Sequence, residues 1–284
     1  MIQVKIKTFF ELIKFEHTVF ALPFAYIGML VAGKRWPSWR VFIGVTLAMV
    51  AARTAGMILN RIADRTIDAK NPRTKGRALV TGDFSVSGAW TAAAVSAVIF
   101  FASASFLNPL CLKLSPIVLI LLSAYNYVKR FSFLCHFALG TVLGIAPVGG
   151  WMAVTGSFSW TPVLPALAVM SWAAGFDILY ALQDVDFDKS LGLHSVPVAF
   201  GVPRALAISG GCHAATVIFL ALFAIAASLG VLFAVGVAVT AALLLFEHRL
   251  IGDGDLRRIN TIFFTINGWV GILLFVFTAL DIYR

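Results

Sequence analysis

Long apolar segments recur along the chain, and nearly all charged residues lie in the short polar stretches between them. A helix needs about 20 predominantly apolar residues to cross the hydrocarbon core of a bilayer. The pattern predicts an all-α integral membrane protein in which nine transmembrane helices form one domain, residues 1–284, around a central cavity open at the cytoplasmic face. The predicted spans are 18–34, 41–60, 87–107, 110–128, 134–155, 161–183, 205–228, 229–247 and 261–280.

The composition supports this prediction and excludes other classes. Of 284 residues, 60% are hydrophobic and 12% are charged, whereas a soluble domain carries about 25% charged residues. Soluble globular, coiled-coil, collagen-like and disordered chains are thereby excluded. Cys111, Cys135 and Cys212 are widely separated, so neither a disulfide framework nor a zinc site is expected. The net charge is +9, but no basic run interleaved with aromatic residues predicts nucleic-acid binding.

The distribution of charge predicts the orientation in the membrane. With the N-terminus in the cytoplasm, 16 of the 22 Lys and Arg residues fall on the cytoplasmic side. The opposite side holds Lys34, Arg35, Arg40 and Arg284. The positive-inside rule therefore predicts a multi-pass protein of the cytoplasmic (inner) membrane, N-terminus in and C-terminus out. The acidic residues also gather on the cytoplasmic side, with Asp281 the exception, so we expect the chemistry at that face.

Acidic residues are regularly spaced where the second and sixth spans end. Asn60, Asp64 and Asp68 are four residues apart, which places them on one face of a helix. Near the sixth span the same reasoning predicts that three further acids share a face: Asp177, Asp184 and Asp188.

Such stacked carboxylates repel one another and need a compensating cation. Oxygen ligands without an accompanying His or Cys favour Mg²⁺ or Mn²⁺. Because Mg²⁺ is usually bound by carboxylates together with substrate phosphates, we expect a diphosphate to bridge the two acid clusters.

Basic residues lie near these acids. The loop after the second span contains Arg73, Lys75 and Arg77, and the fourth span ends with Tyr125, Lys129 and Arg130. Both segments are predicted to neutralise phosphate charge, although cytoplasmic loops are commonly basic without any ligand.

Arg53 lies two turns deeper in the membrane and is expected to face the acids or a second substrate. In a simpler alternative, the acids form ordinary salt bridges with Arg61, Arg65, Arg73 and Lys189. We assign no role to His136, His194, His213 and His248, and we interpret Glu16 and His17 as capping or interfacial residues.

The strings NRIADRTID, YNYVKR and DILYALQDVDFD together resemble the UbiA superfamily of intramembrane aromatic prenyltransferases, whose motifs NxxxDxxxD, YxxxK and DxxxD occur here in order. The resemblance implies prenyl transfer from a polyprenyl diphosphate to an aromatic acceptor. It implies that Asn60, Asp64 and Asp68 hold one Mg²⁺, and Asp184 and Asp188 the second. It further implies a diphosphate site at Arg73, Arg77, Lys129 and Tyr125, an acceptor site at Arg53, Asp177 and Tyr180, and catalytic roles for Asp184, Asp64 and Arg130.

Two further strings, KFEHTVFALPFAYIGM and GLHSVPVAFG, resemble polyprenyltransferases of menaquinone synthesis by the futalosine route, whose acceptor is a dihydroxynaphthoate-type ring. The similar branch that uses 4-hydroxybenzoate serves ubiquinone synthesis, and the sequence leaves both open. Transfer to a haem, chlorophyll or lipid acceptor is a further alternative within the superfamily. A secondary transporter whose one-sided acids coordinate an ion is the alternative from another class. The oligomeric state is left open.

Overall fold

The structure is a computed structural model that describes residues 2–14, 18–252 and 259–284, with side chains at 8–14, 21–251 and 265–284. Every regular element in these ranges is helical. The predicted interfacial residues Glu16 and His17 lie outside the described residues. The helices are α1 (Ile2–Ile13), α2 (Thr18–Gly33), α3 (Trp39–Asp68), α4 (Ala78–Thr81), α5 (Val86–Leu107), α6 (Pro109–Val128), α7 (Cys135–Thr155), α8 (Val163–Ala181), α9 (Val185–Ser190), α10 (Val196–Phe200), α11 (Val202–Ala226), α12 (Val231–Gly252) and α13 (Ile259–Ile282).

Eight helical segments in the described ranges are long and apolar enough to cross a membrane. They are α3, α5, α6, α7, α8 with its extension to Ser190, α11, α12 and α13. The predicted all-α membrane fold is thus confirmed. The first predicted span corresponds to α2, which is apolar but has 16 residues. At 1.5 Å per residue it is shorter than the hydrocarbon core, so the number nine remains a prediction.

The long helices form a bundle in which the first and last pack together. Each helix packs on the next in the order α2, α7, α8, α11, α12 and α13, and α13 packs on α2 again. Helices α3, α5 and α6 pack on one another and join α7. The core is centred on Trp172 and Phe223, with Phe24 packed against Trp172 at a ring-centroid distance of 5.3 Å. This arrangement brings the polar ends of α3, α6 and α8 near one another.

Glycines allow α7 to approach its neighbours closely. A Cβ atom at Gly28 would lie 2.0 Å from the carbonyl oxygen of Pro147, and one at Gly150 would lie 2.0 Å from that of Ala25. At Gly140 it would lie 2.3 Å from a carbonyl oxygen of α8. Small residues at helix contacts permit such approach in a membrane, where packing has to replace the hydrophobic driving force.

The two acid-bearing helix ends differ. Helix α3 continues to Asp68, so Asn60, Asp64 and Asp68 lie on one unbroken helix as predicted. Helix α8 ends at Ala181, and a 3-10 turn, Leu182–Asp184, precedes α9. A 3-10 turn has 3.0 residues per turn, which breaks the helical register. The prediction that Asp177, Asp184 and Asp188 share one helical face assumed an unbroken α-helix, which the chain does not form here, and it stays a prediction.

Candidate active site

Two acids of α3 pair with cations from other segments. Lys129, just after α6, has its Nζ 2.6 Å from Asp64 Oδ2. Arg77, just before α4, donates from Nη1 to both carboxylate oxygens of Asp68, at 2.7 and 2.6 Å. Each acid is buried while its cation remains partly exposed. Each pair thus joins a residue predicted to bind metal to one predicted to bind diphosphate.

A third pair connects the 3-10 turn to the loop after α3. Arg73 donates to Asp184 Oδ1 from Nε at 3.0 Å and to Oδ2 from Nη2. Asn71 donates from Nδ2 to Asp184 Oδ1 at 3.1 Å. Arg73 also donates from Nη1 to the Tyr180 hydroxyl at 3.0 Å. Burial lowers the pKa of Arg73, but its hydrogen bond to Asp184 and nearby negative charge more than compensate and raise the pKa above its ordinary value. Both oxygens of Asp184 are therefore engaged by donors.

Of the three pairs, Arg73 with Asp184 belongs to the salt bridges considered as an alternative, whereas the other two use Arg77 and Lys129. Arg65 donates from Nε to a backbone carbonyl oxygen at 3.0 Å, and Arg61 donates from Nη1 to Asn60 Oδ1 at 3.3 Å. Of the four cations in that alternative, Arg73 is the one that forms an ion pair within the described part of the chain.

Asn60 is held by a buried asparagine of α6. Its Nδ2 donates to Asn126 Oδ1 at 2.9 Å and to Asp64 Oδ2 at 3.2 Å. The side chain of Asn126 in turn donates to two carbonyl oxygens of its own helix, at 3.1 Å each. Asn126 thus fixes the orientation of the Asn60 amide, and the amide contacts Asp64.

The donor set fits a hard divalent cation. Among the described residues, no three His, Cys, Asp or Glu side chains lie close enough to form a metal cluster. However, Asp64 Oδ1 is buried and accepts no hydrogen bond from the described residues. A buried carboxylate oxygen without a partner is costly, and amide and carboxylate oxygens are ligands that Mg²⁺ prefers. An ion would therefore satisfy an acceptor that the protein leaves unpaired.

An apolar cavity adjoins the ion pairs. It has a volume of about 200 Å³ and lies between α2, α3, α5, α6 and α7. Its lining is mostly aliphatic and aromatic, and it also includes the charged Arg53 and the phenol of Tyr125. Tyr125 lies within electrostatic reach of Asp64 and Asp177 as well as Arg53. The cavity therefore has a hydrocarbon interior and a polar side near the acids.

His136, for which the sequence predicted no role, contacts one of the predicted site residues. Its Nδ1 lies 2.7 Å from Asp177 Oδ2. Its Nε2 accepts a hydrogen bond of 3.2 Å from the backbone N–H of Val196 in the first turn of α10. The imidazole is buried, whereas 29% of the Asp177 side chain is exposed. Asp177 therefore has a buried partner and an accessible surface.

The segment from Leu193 to Val196 also contacts two other site-bearing elements. The N–H of Leu193 donates to the carbonyl oxygen of Asp188 at 2.9 Å, and that of His194 donates to the carbonyl oxygen of Lys129 at 2.7 Å. Together with the Val196 contact, these bonds hold three elements of the site against one short loop.

Arg130, which was predicted to be catalytic, takes no part in the three ion pairs. Arg130 donates from Nη2 to the carbonyl oxygen of Ala63 at 2.6 Å, and its guanidinium lies 4.8 Å from the Tyr127 ring centroid. Its catalytic role stays a prediction. Sequence reasoning missed Asn71, Asn126 and His136. An Asn before a Pro signals a turn, and Asn126 lies inside the quoted YNYVKR string, so these two carried a local signal; His136 carried none.

Comparisons with known proteins identify the family of the chain. Residues 21–269 match the sequence model of the UbiA prenyltransferase family. The 4-hydroxybenzoate octaprenyltransferase of Aromatoleum aromaticum is 32% identical over 251 residues, covering 88% of this chain and 85% of that protein. The Vibrio campbellii protein of the same name is 28% identical over 275 residues and covers 96% of both chains.

Solved structures share the fold. A UbiA homologue from Aeropyrum pernix, solved in its apo form, is 37% identical with a TM-score of 0.86, covering 94% of this chain and 98% of that one. A UbiA homologue from Archaeoglobus fulgidus, solved with GPP and Mg²⁺, is 23% identical with a TM-score of 0.75, covering 98% and 100%. The second likeness supports the fold alone.

Proposed function

Because the chain belongs to the UbiA prenyltransferase family, we propose that it transfers a polyprenyl group from a polyprenyl diphosphate to an aromatic hydroxy acid, in the presence of Mg²⁺. The observation that carries the proposal is the placement of three acid–cation pairs beside an apolar cavity with an arginine in its wall. This arrangement suits a donor with a charged head and a hydrocarbon tail, together with an acceptor that carries a carboxylate.

The diphosphate of the prenyl donor would bind to cations that are paired with carboxylates when no ligand is present. Arg73, Arg77 and Lys129 neutralise carboxylates in the absence of ligand, and each retains an exposed portion through which it can contact phosphate oxygens. Guanidinium groups match the geometry of phosphate oxygens, and Lys supplies a point charge. The A. fulgidus homologue, which shares the fold, was itself solved with GPP and Mg²⁺.

Mg²⁺ would be held by Asn60, Asp64 and Asp68 on α3 and by Asp184 and Asp188 around the 3-10 turn. When bound, it acts as a Lewis acid that stabilises negative charge on the leaving diphosphate. Two ions remain the expected number, since the carboxylates are supplied by two separate segments. The unpaired Asp64 Oδ1 is the observation that favours a cation there.

The cavity would hold the polyprenyl chain and exclude water. The bond between C1 of the prenyl group and the diphosphate oxygen breaks with its electron pair on the diphosphate, and an allylic cation remains. An aromatic carbon of the acceptor attacks C1, and the ring then loses its proton to a base. The aliphatic walls prevent water from capturing the cation first, and Arg53 in the wall would bind the acceptor carboxylate.

The acceptor class follows from Arg53 and from the relatives named 4-hydroxybenzoate octaprenyltransferase. A benzoate or naphthoate with a ring hydroxyl satisfies both requirements, so 4-hydroxybenzoate and 1,4-dihydroxy-6-naphthoate are the two acceptors to compare. They correspond to ubiquinone and menaquinone biosynthesis.

The test is an assay of purified protein in detergent with Mg²⁺, a polyprenyl diphosphate and either acceptor, with products identified by mass spectrometry. We expect prenylation of at least one acceptor, and no product when EDTA replaces Mg²⁺. Folded protein that yields no Mg²⁺-dependent product from either would reject the proposal and favour a transporter or a different acceptor.

The protein is a multi-pass membrane protein, and we propose that it acts as one domain with its site at the cytoplasmic face. The packing of α2 against α13 supports a single unit. The charge distribution supports an N-terminus in the cytoplasm and a C-terminus outside. Alkaline phosphatase fused after Arg284 should be active, whereas green fluorescent protein fused there should not fluoresce; the reverse result would contradict this orientation.

A further inference from the structure

Two carboxylates, Asp184 and Asp177, are candidates to accept a hydrogen bond from the ring hydroxyl of the aromatic substrate. The hydrogen-bond donors that already surround each of them distinguish the two. Asp184 is engaged in both states of the site: Arg73 and Asn71 donate to its two oxygens without ligand, and the proposed function assigns it to Mg²⁺ when the donor is bound. In the described part of the chain, the Asp177 side chain has one hydrogen bond, from His136 to Oδ2. Asp177 is also 29% exposed and lies within electrostatic reach of Tyr125, which lines the cavity.

The contacts of His136 fix its tautomer. A backbone N–H can only donate, so the Nε2 atom that faces Val196 N–H must accept and carries no proton. The ring proton therefore lies on Nδ1 and points at Asp177 Oδ2, 2.7 Å away. The Val196 N–H is one of the donors that a helix start leaves unsatisfied, so this contact also satisfies the backbone of α10. The imidazole thus donates to the Asp177 carboxylate and accepts from the backbone of α10.

We propose that Asp177, oriented by His136, accepts a hydrogen bond from the ring hydroxyl of the aromatic substrate. His136 is then a positioning residue, and Asp177 Oδ1 is the atom that contacts the substrate. With Arg53 binding the carboxylate, the site recognises both ends of a hydroxybenzoate-type acceptor, and Asp177 provides the selection for the hydroxyl. This inference rests on the proposed function, because it assumes an aromatic hydroxy acid as the acceptor.

Variants of His136 test separately its hydrogen bond to Asp177 and its hydrogen bond from the backbone N–H of Val196. His136→Asn keeps an amide donor near the Nδ1 position, and His136→Gln keeps an acceptor near the Nε2 position. Asp177→Asn keeps an acceptor for His136 but presents an NH₂ donor to the substrate hydroxyl. Asp83→Asn is the matched control, because Asp83 is an exposed aspartate bonded to Thr81. Thermal melting of each purified variant establishes that it is folded.

The readout compares 4-hydroxybenzoate with benzoate, which retains the carboxylate but lacks the hydroxyl. In His136→Ala and Asp177→Asn we expect the acceptor KM, measured with 4-hydroxybenzoate, to rise about 10- to 100-fold, as for loss of a hydrogen bond to a charged group. The inhibition constant of benzoate and the KM of the polyprenyl diphosphate should change less than about two-fold. Relative to His136→Ala, His136→Asn should recover most of the lost acceptor affinity, and His136→Gln should not.

If the wild-type protein uses only the naphthoate, the same comparison is made with that acceptor and its analogue lacking the hydroxyls.

A second readout needs no substrate. In protein with ¹⁵N-labelled histidine, the signal that disappears in His136→Gln should show a proton on Nδ1 and none on Nε2. A proton on Nε2, equal effects on benzoate and 4-hydroxybenzoate, or rescue by His136→Gln alone would overturn the inference while the proposed function stands. Wild-type protein that prenylates neither acceptor would instead reject the proposed function, and the role of Asp177 with it.

Discussion

Asn126 Oδ1 accepts a hydrogen bond of 2.9 Å from Asn60 Nδ2, and this bond connects α6 to the acid-bearing end of α3. Asn126 is 3% exposed, and its own amide is anchored to carbonyl oxygens of α6. The orientation of the Asn60 amide is thus set by a residue 66 positions away, which bonds to that amide and to its own helix backbone. A supporting residue of this kind affects metal binding without being a ligand.

Replacement of Asn126 should weaken metal binding. In Asn126→Ala, Asn60 loses its partner, and we expect the Mg²⁺ concentration for half-maximal prenylation to rise about 10-fold or more. Ser123→Ala on the same helix is the control, since the Ser123 hydroxyl donates to a carbonyl oxygen of its own helix. A metal titration at saturating donor and acceptor measures the effect, and an unchanged Mg²⁺ requirement would contradict the role of Asn126.

Asp64→Asn should remove activity and leave the fold intact. The substitution preserves shape but removes a charge that would bind the metal, so we expect turnover to fall about 100-fold or more. The released Lys129 is partly exposed, which lets water solvate its ammonium and limits the loss of stability. Turnover and the melting temperature are measured together, with Asp83→Asn as control. Near wild-type turnover in Asp64→Asn would reject the metal assignment.

Arg53→Gln should act on the acceptor and not on the donor. Loss of a charged hydrogen bond to the carboxylate of 4-hydroxybenzoate should raise the acceptor KM about 10- to 100-fold. Arg40→Gln, at the start of the same helix, is the control, since Arg40 donates to the carbonyl oxygen of Phe106. Steady-state kinetics with each substrate varied in turn measures the effect. An increase confined to the KM of the polyprenyl diphosphate would place Arg53 at the donor site instead.

Gly28→Ala should destabilise the bundle. The added Cβ would lie 2.0 Å from the Pro147 carbonyl oxygen, so α2 and α7 would have to separate, at a cost of about 1–3 kcal/mol. Gly211→Ala is the control, because a Cβ there meets nothing within 4 Å. Thermal unfolding in detergent should show a lower midpoint for Gly28→Ala and none of this loss for Gly211→Ala. Equal midpoints would mean that the two helices can separate without cost.

The sequence predicted those parts of the site that depend on local spacing. Asn60, Asp64 and Asp68 share a helix whose extent follows from its own residues. The position of Asp184 could not be predicted, because its partners Arg73 and Asn71 lie 111 and 113 residues away and the chain bends through a 3-10 turn. The contact of His136 with Asp177 spans 41 residues and two helices, so no spacing rule connects them.

The paired charges of the ligand-free site have a consequence for the order of events. A metal ion that bound alone would take the carboxylates from Arg73, Arg77 and Lys129 and leave these cations without counter-charges. A diphosphate that bound alone would take the cations and leave the three carboxylates without counter-charges. When metal and diphosphate bind together, every carboxylate and every cation has an opposite charge beside it. Metal and diphosphate should therefore bind with positive coupling, each raising the affinity for the other. After transfer, departure of the two together would let the acids and cations pair again, so these ion pairs would favour release of the leaving group as its metal complex.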